Sequence, residues 1–263
     1  MRRRFFCLAA FVAAAVLLPA ATAQPPAGWS TVKGQVTFPG GKDLPKRAPL
    51  DITQDKAHCL SKGPILDDKL VVNEKNRGVK NVVVWLRPDN EDKESKLTAA
   101  QIHPSDKGRK VAMVTIDQPC CMFTPRITIA RAGDTIVAKN SAPVAHNFSW
   151  SSANNGEHNP IIPAGGEYKI GPLNGENSPI PYKCTIHPWM NGQVRVFEHP
   201  YHAITDDDGN FTMANAPQGK FRMVVWHENA GFLGGKAGRF GTPIEIKGDL
   251  TQLKAMEFGE LAK

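Results

Sequence analysis

Tyrosine is scarce in this chain of 263 residues, with three copies, and cysteine is little commoner, with five. No phosphate-cradling glycine loop stands in a strand–helix context, and glycine-rich "GGKAG" at 234–238 reads as a turn. No Ser-His-Asp order and no paired-carboxylate motif occurs, which leaves hydrolytic and acid–base chemistry without candidates. After the first two dozen residues there is no apolar run long enough to span a bilayer. The lysines are scattered among acids, so no basic patch for nucleic acid forms; they read as a solvated surface. Helical periodicity is nearly absent too: "SKLTAAQIH" (95–103) is the one helix-like piece, and "DNEDKESK" (89–96) before it reads as a surface loop.

What is there begins with "MRRRFFCLAAFVAAAVLLPAATAQ": three arginines, an apolar stretch, then small residues at Ala21 and Ala23. That is the pattern of a secretory signal peptide over residues 1–23, cleaved near Ala23, and the apolar stretch is short for a membrane anchor. Without Arg2, Arg3 and Arg4 the net charge falls from +7 to +4. The expectation is a periplasmic or otherwise secreted protein with no membrane span. Cys59, Cys120, Cys121 and Cys184 remain, in a compartment that permits disulfides.

Strand signals dominate the rest. The runs at 32–38, 81–88, 126–140, 191–199 and 219–228 are rich in β-branched and aromatic residues, several alternating apolar with polar. With 23 glycines and 21 prolines between them, these predict an all-β fold built from sandwiches. In "AITDDDGNFTMANAPQGKFRMVVWHE" (203–228), Asp206 to Gly209 makes a turn; Phe211 and Met213, then Phe221, Met223 and Val225, point inward.

The densest chemistry is "CTIHPWM" at 184–190, which sets a thiol, an imidazole and a thioether within seven positions. A lone C-x-x-H is weak, and Cys184, His146 or Met190 taken singly reads as structural. A fourth donor, His146 in "NSAPVAHNFSW", completes two histidines, one cysteine and one methionine. That is the ligand set of a blue-copper site; zinc would suit Cys-His-His, but a methionine points to copper.

Two resemblances follow from these residues. "AGDTIVAKNSAPVAHNFSW" with "YKCTIHPWMNGQVRVFE" resembles the cupredoxins, with the short C-x-x-H-x-x-M loop of the amicyanin type. The resemblance implies a Greek-key β-sandwich over 107–199 and one type 1 copper ion bound by His146, Cys184, His187 and Met190. It implies that Asn147 ties the two ligand loops together. It also implies that His187, flanked by Pro188 and Trp189, reaches the surface as the electron-transfer face, though Trp189 could instead pack against a neighbouring sandwich. "GQV" (34–36), "VVVWL" (82–86) and "TDDDGNF" (205–211) resemble the carboxypeptidase regulatory-like, or transthyretin-like, sandwich. Its pattern is split by the middle block, so 28–106 and 200–263 are expected to form one discontinuous domain; three units in a row is the rival arrangement. In similar multidomain proteins lone cysteines occur at the places of Cys59 and Cys121, which implies a disulfide between them. The spacing alone leaves Cys120 as an alternative partner. A second metal site at His58, Cys59 and the pair at 120–121 is disfavoured, because Arg126 stands where a histidine often follows the "CMFTP" proline in those relatives.

The functional expectation is a carrier of single electrons, not an enzyme, working between exported redox proteins such as a cytochrome c or a dehydrogenase-like donor. Copper delivery, or an interaction module with structural copper, are the alternatives. His158, His199, His202 and His227 have no spacing partner that makes a site; for His227, at a strand end, a structural hydrogen bond is expected, and His103 reads as a surface loop residue.

Overall fold

A computed structural model describes residues 28–258; the leader expected over 1–23 lies outside them. Among the described residues the chain is nearly all β, and the one α-helical piece is the single turn Lys56–Cys59. The stretch at 95–103 contributes only a 3-10 turn, Ala99–Gln101.

Strands from the two ends of the chain pair with one another. Trp29–Thr37 lies antiparallel to Asn210–Pro217 and parallel to Leu250–Gln252 and Met256–Glu257. Val83–Pro88 lies between His202–Ile204 and Gly219–His227, and the latter also pairs with Thr242–Ile246. The alternation in the sequence explains which side chains meet: Val32, Val36, Phe211, Met213, Phe221, Met223 and Val225 fill one core.

The middle strands pair among themselves. Met113–Ile116, Thr135–Lys139 and Glu167–Ile170 form one sheet. Ile127–Arg131, Asn191–Phe197, Ile180–Lys183, Ser149–Ser152 and Gly156–His158 form a second. Their core holds Ile136, Phe148, Trp150, Tyr182 and Val194. Gly192 is required there: a Cβ would strike the Tyr182 hydroxyl, which donates to the Arg126 carbonyl at 3.0 Å. Residues 50–65 belong in sequence to the terminal stretch, yet Leu50, Ile52, Cys59 and Ile65 pack on the middle core.

A smaller cluster joins the two groups, with Val83, Trp85, Val224 and Trp226 meeting Ile127 and Phe197. Beside it Arg126 forms ion pairs with Asp68 and Glu228 and donates to Asn191, so one guanidinium gathers three separate segments.

His227 is fully buried; its Nδ1 accepts from the Asn229 backbone at 3.2 Å, and burial, then nearby Arg126, hold its pKa down to about 4. The unfolded chain binds that proton at about pH 6.5, so the neutral ring stabilises the fold fully above about pH 6.5. Between there and about pH 4 the stabilisation is lost at about 1.4 kcal/mol per unit. Burial depresses His199 and His202 as well, to about 3, which adds in the same direction. Urea midpoints measured at pH 7 and pH 5 are expected to fall; equal midpoints would contradict neutral burial.

Candidate metal centre

Two loops at one end of the middle sheets build the site. The first follows Asn140, whose side chain donates to the Val144 and Ile162 carbonyls, both at 2.9 Å, and accepts from Ala142 N at 3.0 Å. That brace turns the chain so that His146–Asn147 pairs with Ile161–Ile162, and the His146 ring faces inward. The second loop leaves the strand Ile180–Lys183 at Cys184. It closes on itself: Cys184 N donates to the Met190 carbonyl at 3.1 Å, and Met190 N to the His187 carbonyl at 2.9 Å.

Cys184 Sγ lies 3.9 Å from His146 Nδ1 and 3.7 Å from His187 Nδ1. The three side chains are at most 1 % exposed and their ligand atoms lie mutually within 4.8 Å. Metal–ligand bonds of about 2.0–2.3 Å separated by a trigonal angle would set sulfur and nitrogen about 3.8 Å apart. The residues therefore fit one ion held by two imidazoles and a thiolate. Two backbone N–H groups point at the sulfur, from Asn147 at 3.5 Å and His187 at 3.4 Å, and compensate the charge a bound thiolate carries. Met190 is fully buried in the same cluster as Cys184.

Asn147 joins the loops. Its Oδ1 accepts from Thr185 N at 2.6 Å and Thr185 Oγ1 at 3.1 Å, so the cysteine loop is hung on the residue after His146. His146 is held neutral: burial first, then the adjacent His187, lower its pKa to about 4, leaving an unprotonated nitrogen for a metal at neutral pH.

The face expected around His187 is different. Pro188 is exposed, but His187 is 0 % exposed and Trp189 is buried, donating from its indole to the Cys121 carbonyl at 3.0 Å. His187 does not reach the surface because the turn Lys56–Cys59 and its leading Asp55 lie over it. A disulfide from Cys59 to Cys121 pins that turn, with both sulfurs within 4.8 Å of a His187 ring nitrogen. Cys120 is left free and partly buried. Asp55 is announced by no motif: its Oδ2 sits 2.8 Å from His187 Nε2 across 132 positions of chain.

No family model matches the chain, and no curated protein sequence does either. Among solved structures it is similar to cupredoxins. A purple cupredoxin from Nitrosopumilus maritimus is 23% identical over 32% of this chain and 98% of its own, with a TM-score of 0.27. An oxidized amicyanin variant is 23% identical over 32% of this chain and 81% of its own, at 0.29. The copper-containing nitrite reductase of Thermus scotoductus SA-01 is 23% identical over 33% of this chain and 22% of its own, at 0.30.

Proposed function

We propose that this chain is an exported carrier of single electrons that binds one copper ion through His146, Cys184 and His187, with Met190 as a weak fourth ligand. The observation that carries the reading is the trio of buried donors at the spacing a trigonal site requires. Copper, when bound, supplies a Cu(II)/Cu(I) couple, and a soft thiolate with imidazoles suits both states.

The chain's own part is to keep that donor set in place. Asn147 locks the two loops, the backbone N–H groups brace the sulfur, and burial keeps water from the donors. Met190, buried in the same cluster, would fill the fourth position and leave none open for a substrate, which favours a carrier over an enzyme. Exported redox proteins, a cytochrome c or a dehydrogenase-like donor, are the partners this role calls for, met in brief encounters.

Repeated electrochemical cycling of the copper-loaded protein tests the role. The expected result is a reversible one-electron wave with copper retained in both states. Loss of the ion on each reduction would contradict a carrier and point to delivery instead.

A further inference from the structure

We infer that Asp55 is a positioning residue of the metal centre, fixing the ring of His187 from the side opposite Cys184; the inference rests on the copper reading above. An ionised carboxylate only accepts hydrogen bonds. The 2.8 Å contact therefore places the ring proton on Nε2 and leaves the Nδ1 lone pair directed at the sulfur 3.7 Å away. A carboxylate on the far nitrogen of a ligating histidine sets both the tautomer and the ring's orientation, and makes it a stronger donor.

The local fold is shaped for this contact. Asp55 takes the left-handed conformation, φ 46 and ψ 38, which few residues other than glycine, asparagine and aspartate adopt. Its carbonyl accepts from His58 N at 3.0 Å and Cys59 N at 2.9 Å, opening the turn whose last residue is bonded to Cys121. The disulfide thus holds the carboxylate against the ring, and Trp189 packs edge-on against the same imidazole with centroids 5.2 Å apart. The Asp55 side chain is 42% exposed, so it stands between the buried ring and solvent, where an electron leaving through His187 would emerge.

The negative charge favours Cu(II) over Cu(I), since oxidation adds a positive charge beside it. Asp55→Asn keeps the size and tolerates the left-handed backbone but removes the charge. In the full-length protein titrated with Cu(II) alone, Asp55→Asn is expected to weaken Cu(II) binding about 10–100-fold. The reduction potential should rise about 59 mV for each tenfold by which Cu(II) loses more than Cu(I). Asp55→Glu, which keeps the charge, should recover most of both. In the metal-free protein, ring-nitrogen NMR should find His187 in the single Nε2–H tautomer, and that preference should be lost in Asp55→Ala, which leaves no acceptor beside Nε2. Unchanged affinity and potential in a folded Asp55→Asn protein would overturn the inference. If the wild type takes up no copper, the copper reading fails, and the ring tautomer still decides for or against Asp55: lost in Asp55→Ala it upholds the role, unchanged it overturns it.

Discussion

Replacing Arg126 with methionine is expected to remove roughly 3–5 kcal/mol of stability, the cost of leaving one side of a buried ion pair uncompensated. The guanidinium side chain is 4% exposed and its partner Glu228 7%. Arg126 also pairs with Asp68 at 2.6 Å and donates to Asn191, the residue after Met190. The variant keeps an aliphatic stem and strands two carboxylates. Adding Glu228→Gln and Asp68→Asn to it is expected to return part of the loss, because the stranded charges go too. Urea unfolding measures both, as a lower midpoint at an unchanged slope. A shift worth less than 1 kcal/mol in the single variant would mean that this network does not hold the three segments together.

Removing the disulfide is the second large effect. Cys59 and Cys121 close a loop of 62 residues. By chain entropy, cross-linking a loop of that length stabilises the fold by about 4 kcal/mol. Cys59→Ala with Cys121→Ala should lower the urea midpoint accordingly, and it should also expose His187, because the turn carrying Asp55 then keeps the packing of Ile52 on the middle core and the Asp55 contact but loses its covalent tether. A double variant as stable as the wild type would show that this turn needs no tether.

The parts that were legible in the sequence are those with short-range signals. Period-two alternation at Phe211, Met213, Phe221, Met223 and Val225 is read locally, and all five are buried. The C-x-x-H pair works the same way, because a tight loop brings Cys184 and His187 together whatever the rest of the fold does. His146 was reachable as a second imidazole in a cysteine-poor chain. What was not legible depends on chain far away. Asp55 is one exposed acid among many until the structure lays it on His187, and the burial of His187 follows from that same segment. Asn140 looked like a strand end, while its side chain braces the loop that delivers His146. Arg126 read as a departure from a pattern, and its role appears only once Asp68 and Glu228 are brought beside it. Residues 50–65 illustrate the same limit, since an irregular segment has no periodicity to say which core receives it.

The most direct test of the central claim is the visible absorption spectrum of the mature protein on addition of Cu(II), beside that of Cys184→Ala. An intense blue thiolate-to-copper band is expected in the wild type, saturating at one equivalent and bleached by reductant. No such band is expected in Cys184→Ala. A pale spectrum that is the same in both proteins would contradict a copper–thiolate centre built on His146, Cys184 and His187.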